Sequence, residues 1–222
     1  MREILIADDH PLFRDALKSA LARALPDARL LDADCVPALQ SLVESHPGAD
    51  LLLLDLQMPG ANGFSALAHM RGQYPGLPII VVSALDDAAT VRRALAHGAS
   101  GYIPKSASAD TIGEAVQHVL DGDVWLPPHL GQAPGTLKPD EATVAAQIAE
   151  LTPQQFRVLG LLAEGLLNKQ IAFELGVSEA TIKAHMTAIM RKLHASNRTQ
   201  VALYASQLAL EPLTAAVSAP AE

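Results

Sequence analysis

Acidic, hydroxyl and basic side chains end the apolar runs in the first half of the chain. They are Asp8, Asp9, Asp55, Ser83 and Lys105. Three carboxylates brought together repel one another and need a cation, and a site made of oxygen ligands suits Mg²⁺. With a lysine and a hydroxyl to hold phosphoryl oxygens, one carboxylate could attack phosphorus and form an acyl phosphate. The residue types therefore favour phosphoryl transfer.

Short apolar runs alternate with segments of helical period over the first 120 residues. The predicted strands are 4–7, 29–33, 51–54, 79–82 and 100–103, and the predicted helices are 11–23, 36–44, 63–73, 88–96 and 109–120. Five such units predict an α/β fold with a five-stranded, doubly wound parallel sheet. Ligands of these sheets bind beyond the carboxyl ends of the strands, where the five polar side chains would converge.

The first half resembles the receiver domain of response regulators over roughly residues 2–122. The likeness rests on the Asp8-Asp9 pair, on Asp55 in the run Leu51–Gly60, on Ser83-Ala84 and on Gly101–Lys105. It implies a flavodoxin/CheY-like sheet in which Asp55 accepts a phosphoryl group from a sensor histidine kinase. Mg²⁺ or Mn²⁺ would be held by Asp8, Asp9, Asp55 and the backbone carbonyl of Gln57. Ser83 and Lys105 would contact the phosphoryl group, and Tyr102 would be an aromatic switch.

Some residues of this half allow other interpretations. Ser106 follows Lys105 where many receivers have proline, which leaves the lysine's approach less defined. Tyr102 could be ordinary packing, and Asp8-Asp9 could simply cap the helix that starts at Pro11. His10 is interpreted as a loop histidine rather than as a metal ligand.

The pattern changes after residue 120, where prolines and glycines crowd together. We predict a receiver at 1–122, a linker at 123–149 with a short helix near 141–149, a DNA-binding domain at 150–210 and a disordered tail at 211–222. The second domain is predicted to be all-α, with four helices at 153–163, 168–175, 179–193 and 198–208. Thr152, followed three residues later by Gln155, predicts a capping box at the first of them.

The segment Asn168–Lys183 has the form of a helix-turn-helix. Ala172 is small where two helices approach, Gly176 can adopt the positive φ of the turn, Ser178 can cap the second helix, and Ile182 would face the core. With further matches such as Leu151-Thr152-Pro153 and Asn197-Arg198-Thr199, residues 150–210 resemble the LuxR-type helix-turn-helix in the NarL/FixJ arrangement. Gln155 and Leu167 depart from the usual glutamate and small polar residue.

The LuxR-type resemblance implies DNA contacts. Base edges would be read by Lys183, Ala184 and Thr187, and the DNA backbone would be contacted by Lys169, Thr181, Arg191, Lys192 and Arg198. Lysine can read guanine and alanine can contact a thymine methyl. Each of these residues could also belong to an ordinary solvated helix face. The last helix is predicted either to pair two chains or to pack within its own domain.

Charge and composition restrict the class of protein. The net charge is −8, yet residues 1–126 carry −7 and residues 151–210 carry +3, so the basic region coincides with the predicted DNA-binding domain. No apolar stretch is long enough for a membrane span and no signal peptide is evident, so a cytoplasmic protein is expected. The single cysteine, Cys35, excludes an internal disulfide.

The two resemblances together imply a transcription factor of a two-component system. Phosphorylation would control dimerisation and binding to promoter half-sites of double-stranded DNA, and the unphosphorylated receiver is expected to cover the recognition helix. We expect no enzyme beyond slow autodephosphorylation, because Gln57 stands where a dehalogenase-type phosphatase needs an acid. The alternative is a regulator that binds DNA independently of phosphorylation and has a silent receiver.

Overall fold

The computed structural model describes residues 1–61, 63–128 and 139–209. Its sheet has the order β2-β1-β3-β4-β5, and every neighbouring pair is parallel. The strands are β1 (Glu3–Ala7), β2 (Arg29–Ala33), β3 (Leu51–Asp55), β4 (Ile79–Ser83) and β5 (Gly101–Pro104). The predicted doubly wound sheet is confirmed.

Five helices cover both faces of this sheet. They are α1 (Pro11–Ala24), α2 (Val36–Ser45), α3 (Ser65–Gln73), α4 (Ala88–Ala96) and α5 (Ala109–Leu120). Successive side chains of a strand point to opposite faces. Leu51 and Leu53 therefore pack toward α1 and α5, whereas Leu52 and Leu54 pack toward α2, α3 and α4. Both faces of the central strands are buried, which explains their uninterrupted apolar sequence.

The second part of the chain is helical throughout its described residues. It contains α6 (Pro139–Ala149), α7 (Pro153–Ala163), α8 (Asn168–Glu174), α9 (Glu179–Lys192) and α10 (Arg198–Gln207). The capping box at Thr152, the cap at Ser178 and the positive φ of Gly176, at 64°, are all present as predicted. The predicted linker at 123–149 ends in helix α6. The predicted tail at 211–222 lies outside the described residues.

The two parts pack against each other through an extensive contact. One hydrophobic cluster runs from the α2–α3–α4 face of the sheet into α6, α7 and α10. The helices α3 and α6 pack closely, because a Cβ at Gly72 would overlap Ala149. Within residues 1–61, 63–128 and 139–209, no helix is both long and apolar enough to span a bilayer.

Candidate functional site

Asp55 lies at the carboxyl end of the central strand β3, and its side chain is 1% exposed. Its Oδ2 accepts a hydrogen bond from Lys105 Nζ at 2.8 Å, and its Oδ1 accepts one from the backbone N–H of Gln57 at 3.1 Å. Burial raises the pKa of Asp55, and the hydrogen bond from Lys105 opposes that rise. The carboxylate is thus held in a defined position at the edge predicted from sequence.

Lys105 is the cation of this pocket. Its Nζ lies 2.8 Å from both Asp55 Oδ2 and Asp8 Oδ2, and it stands over the Phe13 ring, 5.0 Å from the ring centre. Burial alone would lower the pKa of Lys105, but the hydrogen bonds to the two aspartates raise it. No peptide bond among the described residues is cis, and the lysine reaches the pocket despite Ser106.

The acidic cluster beside Asp55 has the donor set of a metal site. One ligand atom each of Asp8, Asp9, His10 and Asp55 lies within 4.8 Å of the others. Asp9 Oδ1 is buried and accepts no hydrogen bond among the described residues, although His10 Nδ1 lies 2.8 Å away. A buried carboxylate oxygen in that state fits a hard divalent cation such as Mg²⁺. The place of the Gln57 carbonyl in a metal shell stays a prediction.

His10 borders the pocket and is 60% exposed in its side chain. Its backbone N–H donates to Asp8 Oδ1 at 2.7 Å, and its Nδ1 lies 3.1 Å from that same oxygen. These contacts place His10 in the loop beside the acid pair, and its interpretation as a loop histidine rather than a metal ligand stays a prediction.

Arg14 is a site residue that the sequence reasoning missed. Its NH1 donates to the backbone carbonyl of Asp8 at 2.7 Å, and its Nε donates to Asp32 Oδ2 at 3.1 Å. Lys18 holds the other oxygen of Asp32 at 2.6 Å. Arg14 thereby ties the loop that carries Asp8 and Asp9 to α1 and β2. Its position one turn into α1 was the only sequence signal for this role.

Ser83 ends β4, Tyr102 lies within the neighbouring strand β5, and both are buried. The Ser83 hydroxyl accepts a hydrogen bond from the backbone N–H of Leu85 at 3.2 Å, and the Tyr102 hydroxyl donates to the Leu85 carbonyl at 2.5 Å. Burial raises the pKa of Tyr102. The Tyr102 ring already points inward. Through their hydrogen bonds to Leu85, Ser83 and Tyr102 are both connected to the loop that leads into α4.

Helix α9, the second helix of the predicted helix-turn-helix and so its expected recognition helix, presents one apolar and one polar face. Ile182, Met186 and Ile189 are buried against the domain. Its exposed residues include Glu179, Ala180, Thr181, Lys183, Ala184, Thr187 and Arg191, and Lys169 of α8 is exposed as well. The expectation that the receiver covers this helix is therefore wrong for this structure, because the receiver contacts α6, α7 and α10 instead.

Two of the predicted DNA-backbone residues are engaged inside the domain. Lys192 Nζ donates to the Glu150 carbonyl at 2.7 Å and to Gln155 Oε1 at 2.9 Å. Arg198 donates to Asn168 Oδ1 at 2.7 Å and to the Leu166 carbonyl. Each side chain thus joins two segments of its own domain, and its predicted contact with the DNA backbone stays a prediction.

Comparison with protein families covers both parts of the chain. Residues 4–117 match the response regulator receiver domain, and residues 149–205 match the bacterial regulatory proteins of the luxR family. The chain belongs to the response regulators of two-component systems. It combines a receiver with a LuxR-type DNA-binding domain, as its sequence resemblances predicted.

Relatives of this response regulator match it along nearly its whole length. The glycerol metabolism activator of Pseudomonas putida is 37% identical, with 94% of this chain and 96% of the relative covered. The nitrate/nitrite response regulator NarL of Escherichia coli K12 is 32% identical, with 92% and 94% covered. RcsB of Salmonella enterica serovar Typhimurium, solved bound to a promoter with phosphomimetic BeF₃⁻, shares the fold at a TM-score of 0.54, with 24% identity and 93% and 98% covered.

Proposed function

We propose that this response regulator accepts a phosphoryl group on Asp55 from a sensor histidine kinase, and that phosphorylation controls its dimerisation and its binding to promoter half-sites. The observation that carries the proposal is the buried Asp55 carboxylate, which contacts Lys105 and faces the Asp8–Asp9 pair. Burying a carboxylate costs free energy unless it is paired, so the buried Asp55 needs the hydrogen bond from Lys105. An acid exposed to solvent in a loop would not need such a partner.

In the proposed reaction an oxygen of the Asp55 carboxylate attacks the phosphorus of a phosphohistidine. The P–N bond breaks, the imidazole leaves with the bonding electrons, and an acyl phosphate forms. The Lys105 ammonium, now on Asp55 Oδ2, would follow the negative charge to a phosphoryl oxygen, and the Ser83 hydroxyl would donate to another. Asp8, Asp9 and Asp55, with the Gln57 carbonyl, would hold Mg²⁺ or Mn²⁺, which neutralises phosphoryl charge when bound.

We propose no further catalytic activity for this pocket. The position two residues after Asp55 is the exposed Gln57, whose amide cannot deliver a proton to a leaving group. The acyl phosphate would then persist long enough to act as a signal, and only slow autodephosphorylation would remove it.

The proposed output is DNA binding through the exposed face of α9. Lys183, Ala184 and Thr187 would face base edges in the major groove, whereas Lys169, Thr181 and Arg191 would contact phosphates. A two-fold dimer would place two such helices on two half-sites.

The test of this proposal is the intact mass of the chain after incubation with acetyl phosphate and Mg²⁺. The wild type should gain one phosphoryl group that is lost at alkaline pH, and Asp55→Asn should gain none. Asp27→Asn removes an exposed carboxylate and should behave like the wild type. A phosphoryl group that persists in Asp55→Asn, or none in any variant, would refute Asp55 as the acceptor under these conditions.

A second candidate is a regulator that binds DNA without phosphorylation. Two observations favour it: the ring of Tyr102 is already inward, and the recognition helix is already exposed. In that case Asp55→Asn would bind promoter DNA as tightly as the wild type does, and a phosphodonor would change neither.

A further inference from the structure

Lys105 has a partner in the pocket that carries no charge. Its Nζ stands over the Phe13 ring, 5.0 Å from the ring centre, within the distance of about 6 Å at which the face of an aromatic ring attracts a cation. The same Nζ lies 2.8 Å from one oxygen each of Asp8 and Asp55. Because the Lys105 side chain is only 15% exposed, water screens these contacts only in part. The ammonium therefore rests between two carboxylates and an aromatic ring.

The backbone around Lys105 leaves its side chain free to move. The Lys105 N–H donates to the Ser83 carbonyl at 2.7 Å, and the Ala107 N–H donates to the Pro104 carbonyl at 2.9 Å, which closes a turn. A proline at position 106 would restrict the backbone of the residue before it, and Ser106 does not. The stem that carries the ammonium is itself a flexible chain of four carbons. Contacts of the side chain must therefore place Nζ in the pocket.

Phe13 is fixed by its place at the start of α1. It is the third residue of that helix, and the first residue, Pro11, has a backbone already suited to helix formation. Phe13 is half-buried and packs against the hydrophobic cluster between the sheet and the helices α1 and α5. Ala107, at the end of the Lys105 turn, packs against the same cluster. The ring and the turn thus share one hydrophobic base, which keeps the ring beneath the ammonium.

The proposed phosphorylation would engage both carboxylate partners of Lys105 elsewhere. An oxygen of Asp55 would be bonded to phosphorus, and Asp8 would bind Mg²⁺. The attraction of a ring face for a cation comes from the quadrupole of the ring, which the reaction does not consume. Phe13 is therefore a partner that Lys105 would keep while its ammonium moves to a phosphoryl oxygen.

We propose that Phe13 is a positioning residue of the phosphorylation pocket, whose ring holds the Lys105 ammonium beside Asp55 by a cation–π contact. The ring would supply part of the restraint that a proline at position 106 would otherwise give through the backbone. This inference rests on the proposed phosphorylation of Asp55 and adds a residue to the machinery that performs it.

The contact itself can be measured by NMR on the full chain with labelled lysines. The current in an aromatic ring shifts protons above its face upfield. The Hε protons of Lys105, assigned by their loss in Lys105→Arg, should be shifted upfield in the wild type and return to the range of exposed lysines in Phe13→Leu. Phe173→Leu removes a ring of α8 that is 87% exposed and should leave the Lys105 signal in place. An unshifted Lys105 signal in the wild type would refute the contact.

The role of the contact is tested with rings of nearly constant shape and decreasing attraction for a cation. Phe13 is replaced by phenylalanines that carry one, two or three ring fluorines, which withdraw electron density from the ring face. The initial rate of phosphorylation by acetyl phosphate is read from the intact mass at a Mg²⁺ concentration that saturates each variant. The rate should fall stepwise along the series, to about three- to fivefold below the wild type with three fluorines.

Two further variants frame this series. Phe13→Leu should be as slow as the chain with three fluorines, and Phe173→Leu should react like the wild type. A ring that only filled space would serve equally well with or without fluorine, so equal rates along the series would overturn the proposal.

The two proposals fail in different ways. If the wild type gains no phosphoryl group, phosphorylation of Asp55 by this donor is refuted, and so is the role of Phe13 in it, even if the Lys105 signal still shows the contact. If the wild type is phosphorylated and the rate does not depend on the fluorines, the role of Phe13 is refuted and the phosphoacceptor function stands.

Discussion

Arg14 donates a hydrogen bond to the Asp8 carbonyl. Its guanidinium therefore lies next to the acidic cluster and holds the backbone that carries the candidate metal ligands. Arg14 is only 16% exposed and bonded at two nitrogen atoms, so it holds the loop with little freedom of its own. Residues that orient metal ligands in this way commonly change metal affinity when they are replaced. The sequence predicts the candidate ligands by type and spacing, but not the residue that orients them.

Replacement of Arg14 by glutamine should weaken Mg²⁺ binding by about tenfold, because the Asp8–Asp9 loop loses its tie to α1 and β2. Titration calorimetry of Mg²⁺ into the purified chain measures the change without any phosphodonor. Arg23→Gln removes a surface ion pair with Asp110 from the end of the same helix and serves as control. Equal Mg²⁺ affinity in the wild type and Arg14→Gln would contradict the role given to Arg14.

The neighbours Arg191 and Lys192 should differ in what their loss affects. Arg191 is exposed, so Arg191→Gln should lower DNA affinity and reduce the slope of log affinity against log salt by about 1. Lys192 is bonded to Glu150 and Gln155, so Lys192→Gln should cost about 1 kcal/mol of stability and leave the salt slope unchanged. Salt-dependent DNA binding and thermal melting of both variants measure the difference. A lower salt slope in Lys192→Gln would show that the Lys192 side chain contacts a DNA phosphate.

At the scale of elements, the sequence predicts what local pattern and capping determine. The strands around Leu52 and Ile80 are unbroken apolar runs, and the starts of α7 and α9 carry Thr152 and Ser178 as caps. The full length of α6 was not predicted, because proline and glycine crowd the sequence before it. The contact of α6 with α3 was not predicted either, since it depends on two surfaces distant in sequence.

Gly72 in α3 tests the closeness of that helix pair. Alanine normally stabilises a helix interior by about 1 kcal/mol over glycine. Here its Cβ would overlap Ala149 of α6, so Gly72→Ala should lower the free energy of unfolding by about 1–3 kcal/mol instead. Denaturant unfolding measures the sign. Gly76→Ala, where no atom lies within 4 Å of the added Cβ, is the control, and a stabilised Gly72→Ala protein would show that the helices separate easily.

At the scale of the whole molecule, a buried histidine lies in the contact between the domains, and we expect it to make the stability of that contact depend on pH. His69 stacks on Phe156 with ring centres 4.1 Å apart, and its Nδ1 lies 3.5 Å from the Ile148 carbonyl. Burial lowers the pKa of His69 to about 4 from an ordinary value of 6.5. Burial also lowers the pKa of His97, against the opposing effect of Glu141, with Arg93 as the other nearby charge.

Because the folded chain holds His69 neutral, its contribution to stability is complete above pH 6.5 and is lost as the pH falls toward 4. The loss should approach about 3 kcal/mol at the acid end. Melting temperatures between pH 7.5 and 4.5 measure the slope, which His69→Gln should make shallower. Equal slopes in the wild type and His69→Gln would show that the ring is already protonated or solvated.

The packing of α6 against the receiver also decides where this chain could be joined to another receiver. An exchange of receivers that treated the segment between the domains as an interchangeable spacer would ignore this packing. In this chain α6 carries Glu141 and Ala149, whose partners Arg93 and Gly72 belong to the receiver. A chimaera joined before residue 139 would separate these partners, whereas one joined after Ala149 would keep them together. The receiver with α6 attached is therefore the unit that keeps these contacts, and chimaeras joined between α6 and α7 should fold more stably than those joined before residue 139.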